Sequence, residues 1–141
     1  MVGDATLSGA PLVKFVSPIS LDAARALIVG TNRFFDYGNH ENVKRVVNIY
    51  FQNGYPYEPH LSSIMSDLAD LRTMRNASAH ITSTTQTALN GLALRVLTRT
   101  SGSIDLYALL TAVDPRSASG ETIFLRYKNK LVAAAELIVN S

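Results

Sequence analysis

Apolar residues recur at three- and four-residue steps along most of this chain, and the stretches that carry them are separated by glycine, proline or runs of hydroxyl side chains. That period belongs to the α-helix and not to the alternating strand. Ser20 and Asp22, a capping oxygen and a first-turn carboxylate, introduce Leu21, Ala24, Leu27, Ile28, Phe34 and Phe35, which predict a core-facing helix over residues 20–37 before Gly38. Asn39 opens a second stretch with Val43, Val46, Val47, Tyr50 and Phe51, where periodicity outweighs the poor helix propensity of valine. A Pro/Tyr connector over residues 53–59 follows, its tyrosines expected to pack on the domain itself. A third helix from Pro59 or His60 carries Leu61, Ile64, Leu68 and Leu71 on one face. The hydroxyls of residues 82–85 cap a fourth, with Leu89, Leu92, Ala93, Val96 and Leu97 as its stripe. A short helix over residues 104–113 stops at Asp114-Pro115, and a last one from about Ser119 carries Ile123, Tyr127, Leu131, Ala134, Leu137 and Ile138. Residues 1–18, broken by Gly9, Pro11 and Pro18, read as an irregular lead in which residues 12–16 form a short strand or an arm. The expected fold class is all-α: residues 19–141 form a single domain, an antiparallel bundle of four to six helices.

At 141 residues such a domain can bury a core without staples, and the absence of cysteine removes disulfides, thiolate catalysis and the common zinc ligand sets. No window resembles a signal peptide or a membrane span, so the expected compartment is cytoplasmic, with no membrane partner. Charge is unevenly spread: residues 1–70 hold five Lys/Arg against seven Asp/Glu, and residues 71–141 hold eight against four. A phosphate-bearing partner would prefer the second half. Gly-rich phosphate loops, His-Glu-x-x-His, Cys/His clusters and Gly-x-Ser-x-Gly are all missing. Asp67 and Asp70, beside Arg72 and Arg75, read as helix-surface pairing partners and not as metal ligands, so no metal and no cofactor is expected. Arg95 and Arg99 read as a solvated edge.

The chemistry is concentrated in Arg72, Arg75, Asn76 and His80, at the end of the third helix. On a wheel of about 100° per residue Arg75 falls in line with Leu61, Ile64, Leu68 and Leu71. A guanidinium in line with an apolar stripe must face a carboxylate, a polar cleft or a partner, or else reach water and the last carbonyls at the helix end. His80 lies roughly 140° further round a continuous helix. It meets Arg75 only if the helix breaks near residues 77–79 or if a second chain completes the pair. Either route joins a permanent cation to an imidazole that titrates near neutrality, a combination suited to phosphodiester chemistry without a metal.

Arg75-Asn76-Ala77-Ser78-Ala79-His80 resembles the Arg-x4-His motif of the HEPN superfamily (higher eukaryotes and prokaryotes nucleotide-binding domains), including the polar residue after the arginine. Its members are small helical bundles with the motif late in one helix and another helix after it, the order read here. Arg33 and His40 also satisfy the loosest spacing, but Phe34 follows that arginine and Gly38 separates the pair. The resemblance implies a metal-independent endoribonuclease acting as a homodimer with both motifs facing one cleft, in a toxin, defence or RNA-processing setting, with an antitoxin or a larger multidomain protein as possible context. It implies that His80 is the general acid or base for 2′-hydroxyl attack, that Arg75 neutralises the phosphorane and that Asn76 orients the pair. Arg72, one turn earlier, is a candidate phosphate contact on this chain's own spacing. The alternative is a non-catalytic helical dimerisation or nucleotide/RNA-binding module, which has no need of His80 beside Arg75.

Overall fold

The computed structural model describes residues 6–7, 10–11, 18–30, 35–36, 38–98 and 102–141; their regular structure is helical but for one two-residue antiparallel pairing, Thr6–Leu7 (β1) with Ala10–Pro11 (β2), and the isolated bridge of Val113 with Thr122. The expected all-α class is what is observed. Seven α-helices occur among the described residues, more than the four to six expected: α1 (Leu21–Val29), α2 (His40–Tyr50), α3 (Tyr57–Ser63), α4 (Met65–Ala79), α5 (Ser83–Leu97), α6 (Leu106–Thr111) and α7 (Ile123–Val139). None is long and apolar enough to cross a membrane. By contacts the chain forms two compact units, Met1–Ser63 with Glu136–Ser141, and Ile64–Ala135.

In the first unit Ser20 caps α1 as read, accepting from the Ala23 N–H at 3.1 Å. The helix ends at Gly30 and not near residue 37, because Gly30 adopts φ 60° and ψ −128°, a conformation that side-chain-bearing residues avoid. Leu21 and Leu27, expected to face a core, are exposed. Phe34, Tyr37, Arg33, Arg99 and the strand or arm at residues 12–16 lie outside the described residues. Asn39 caps α2, which buries Val47 and Tyr50 and ties itself to α1 through the Tyr50 hydroxyl, donating to the Ala24 carbonyl at 3.2 Å. Glu58 of α3 takes Lys44 at 3.2 Å and the Ser62 hydroxyl at 3.1 Å. Gly54 sits beneath it with φ 65°, where a Cβ would lie 2.7 Å from the Glu58 Cβ.

The expected third helix is two helices. Ile64 has φ −115° and ψ 21°, so α3 stops at Ser63 and α4 begins afresh at Met65. In the second unit α4 and α5, joined by residues 80–82, pack together as the short connection requires. Their core is Met74, Leu89, Leu92, Ala93, Val96, Leu97, Leu109, Ile123 and Tyr127. The α5 stripe is therefore the expected one, whereas Leu131 of α7 is exposed. The inward face of α4 is Asp67, Asp70 and Met74, flanked by Leu71 and Ala77.

Asp67 and Asp70 are only 4% and 6% exposed, which corrects their reading as surface partners of Arg72 and Arg75. Their partners come from other helices. Lys130 of α7 donates to both Asp67 oxygens at 2.9 and 2.8 Å. The Tyr127 hydroxyl donates to Asp70 Oδ2 at 2.7 Å, and Arg95 of α5 pairs with Asp70 Oδ1. As α7 advances from residue 127 to 130 its partners on α4 step back from 70 to 67, the signature of an antiparallel pair with three-residue spacing on both helices. Asp114, after α6, is held likewise by Arg126 at 3.3 Å and by the Arg116 N–H at 3.0 Å.

Burial pushes the Tyr127 phenol above its ordinary pKa, and the Asp70 carboxylate that accepts its proton adds to the rise. The unfolded chain therefore releases this proton first, from about pH 10 upward. The stability that the protonated phenol contributes is complete below that point and is lost as pH climbs toward the raised folded value. Asp70→Ala is expected to lower unfolding free energy by about 3 kcal/mol in urea titrations, because it strands a buried hydroxyl and half-frees a guanidinium. Tyr127→Phe should lower it by about 1 kcal/mol at neutral pH, and should lose stability less steeply than the wild type between about pH 9 and 11.

Candidate functional site

The end of α4 and the turn into α5 hold the candidate residues. With Met74 at the centre of the buried face, Arg75 stands about 100° away and Arg72 about 160° away, nearly opposite. Both are exposed. The expected line of Leu61, Ile64, Leu68 and Leu71 leading to Arg75 assumed one continuous helix centred on those leucines. The break at Ile64 and the inward aspartates shift the buried face, so Leu68 and Leu71 are half-buried edge residues and Arg75 is not drawn into the core. Its Nη1 donates to Asn76 Oδ1 at 3.2 Å, joining the two motif residues side chain to side chain. The Ser78 hydroxyl donates to the Arg75 carbonyl at 2.8 Å. Arg72 makes no hydrogen bond or ion pair with a described residue, and Asp67 and Asp70 are occupied elsewhere.

The helix does not break at residues 77–79. It runs through Ala79, and His80 is the first residue out, with φ −140° and ψ 105°. The His80 N–H still donates to the Asn76 carbonyl at 3.0 Å, closing the last turn. Its carbonyl accepts from the Thr85 hydroxyl at 2.5 Å. The imidazole is exposed and makes no hydrogen bond or ion pair with a described residue, so Arg75 and His80 are not joined within one chain. Asn76 is the link between them: its amide oxygen meets Arg75 and its carbonyl receives the His80 N–H.

Two residues on, α5 begins at a capping box. The Thr82 hydroxyl accepts from the Thr85 N–H at 3.2 Å, and the Thr85 hydroxyl accepts from the Thr82 N–H at 3.0 Å. The positive end of this 15-residue helix faces the connector that carries His80. An open depression of about 420 Å³ lined by Ser83, Thr84, Thr87 and Ala88 lies on the first turns of α5. Arg72 and the start of α5 bring positive groups to this end, and the inward carboxylates of α4, Asp67 and Asp70, are paired with other helices. Among the described residues no group of three or more His, Asp or Glu side chains could hold a metal ion.

Sequence reasoning missed Thr85 as more than a cap, and it missed Tyr127, Arg95 and Lys130 as the partners of the α4 aspartates. The available signal was the matched three-residue spacing of Asp67/Asp70 and Tyr127/Lys130. No protein-family model, curated protein or solved structure matches the chain.

A charge on the solvent face contributes little to folding, whereas a cation that pairs a buried carboxylate resists removal. Arg72→Ala and Arg75→Ala are therefore each expected to change the unfolding free energy by less than about 0.5 kcal/mol, while Lys130→Met, which leaves Asp67 buried without its cation, should cost about 3 kcal/mol. Urea denaturation of the three variants is the measurement.

Proposed function

We propose that the chain is a metal-independent endoribonuclease of the HEPN type, working as a homodimer in which two copies bring their α4 ends to one RNA strand. The observation that carries this reading is the arrangement of Arg75, Asn76 and His80: a guanidinium held by Asn76 on the last turns of α4, and an imidazole released from the helix at its first non-helical residue. A helix end that served packing alone would turn the imidazole inward or pair it locally. Here the imidazole has no partner among the described residues, and His80 precedes the Thr82 cap of α5 by two residues. The separation of Arg75 from His80 within one chain is what a composite site formed by two copies accommodates.

In this reading His80 exchanges a proton with the reacting ribose or the leaving oxygen. The 2′-hydroxyl oxygen forms a bond to the adjacent phosphorus and the bond from phosphorus to the 5′ oxygen breaks, leaving a 2′,3′-cyclic phosphate and a 5′-hydroxyl. Arg75 neutralises the charge that accumulates on the phosphorane oxygens, and its fork suits two of them at once. Asn76 holds that fork in place, and Arg72, one turn back on the exposed side, meets a flanking phosphate. An RNA-binding module without cleavage would use the same cations and leave His80 idle.

The test is cleavage of single-stranded and structured RNA in the presence of chelator. Wild type should cut, with 2′,3′-cyclic phosphate ends, and Arg75→Ala and His80→Ala should each reduce the rate at least about 100-fold. Intact RNA with wild type, or equal cutting by the double variant, rejects the nuclease. RNA retention without cutting, lost in Arg72→Ala and Arg75→Ala, would establish the binding module instead.

A further inference from the structure

The connector over residues 80–82 is short, and packing does not hold it: His80 is exposed and Ile81 is 92% exposed. Its conformation therefore rests on hydrogen bonds, and these converge on one side chain. The Thr85 hydroxyl lies 2.5 Å from the His80 carbonyl, 3.0 Å from the Thr82 nitrogen, and 3.1 Å from both the Thr82 carbonyl and the Thr82 hydroxyl. A hydroxyl has one proton to give and two lone pairs to offer. The Thr82 N–H takes a lone pair, and the proton goes to the nearest acceptor, the His80 carbonyl. A capping box needs only the bond to the residue-82 backbone; the bond to residue 80 is additional to it. With the His80 N–H tied to the Asn76 carbonyl at 3.0 Å, both peptide groups of His80 are fixed, one by α4 and the other by α5. Only the ring torsions remain free.

We propose that Thr85 is the positioning residue of the His80 site, setting the direction in which the imidazole leaves the backbone; the catalytic part of the claim rests on the nuclease reading above, while the placement of His80 does not. Loss of the hydroxyl releases the peptide group after His80, and a displacement of about 1 Å at a reacting group costs up to 100-fold in rate. Valine at position 85 keeps the shape and removes both bonds, and serine keeps both.

The experiment compares Thr85→Val, Thr85→Ser and Thr82→Ala in the full chain, alone and on a His80→Ala background, with two readouts: RNA cleavage kinetics and backbone ¹⁵N order parameters at His80 and Ile81. Thr85→Val should lower kcat about tenfold with KM unchanged, Thr85→Ser should restore it, and Thr85→Val should add no loss once His80 is alanine. Order at His80 and Ile81 should fall in Thr85→Val and return in Thr85→Ser. Thr82→Ala, which removes the cap but leaves the Thr85 hydroxyl on the His80 carbonyl, should keep most of kcat and most of that order. A loss in Thr82→Ala as large as in Thr85→Val, or the same proportional loss on the His80→Ala background, would reduce Thr85 to a helix cap and overturn the proposal. If wild type cuts no RNA the nuclease reading falls, and the order parameters still decide the placement: unchanged order at His80 in Thr85→Val overturns it.

Discussion

Asp70 is the residue on which the second unit depends. It is a carboxylate almost wholly removed from water, and it is tolerable there because a phenol from α7 and a guanidinium from α5 meet its two oxygens. Asp67 repeats the arrangement one turn earlier with Lys130. Such pairs add little net stability over an apolar pair of the same volume, but breaking one is costly, since the remaining charge or hydroxyl is left buried. Their value is directional. An apolar contact tolerates sliding by a turn, whereas two carboxylates three residues apart, matched to a hydroxyl and an ammonium three residues apart, fit in one register and one polarity. The side chains of Arg95 and Lys130 are 56% and 43% exposed, so both cations keep their outer ends in water while their donors reach inward.

This locking explains how α4 can carry an exposed, chemically loaded end. The inward groups are Asp67, Asp70 and Met74, and beyond them Ala77 still packs against the core, whereas Arg75, Ser78 and Ala79 are exposed. Arg75 begins about 7.5 Å along the axis from Asp70 at the helical rise, and His80 follows the last helical residue. A site on a helix whose rotation and register are set by buried hydrogen bonds is placed more reproducibly than one on a loop. The connector after it, which lacks packing, is held by Thr85.

How much of this the sequence discloses depends on what the buried positions are made of. The α5 face was legible because Leu89, Leu92, Ala93, Val96 and Leu97 are apolar and buried. The α4 face was not, because two of its buried residues are aspartates, which a hydrophobic wheel assigns to solvent. The leucines at 68 and 71 then drew the stripe away from Met74 and put Arg75 in line with it. The break at Ile64 has no glycine or proline to mark it. At Gly30 the sequence did contain the stop, but the apolar residues beyond it kept the helical period going. The candidate residues themselves were legible as a motif, and their separation followed from a continuous helix; that the helix does continue was not legible, because it turns on where α4 ends and on a bond from Thr85 five residues away.

The central claim is that Arg75 and His80 act together although one chain holds them apart. Mixed dimers test it most directly. Arg75→Ala and His80→Ala chains, each inactive alone, are mixed after partial unfolding, refolded together and assayed on RNA with chelator present. A site built from two copies predicts that activity returns on mixing, since the mixed dimer pairs an intact Arg75 from one copy with an intact His80 from the other. If wild type treated identically cuts RNA and the mixture exchanges subunits yet stays silent, the composite site is wrong.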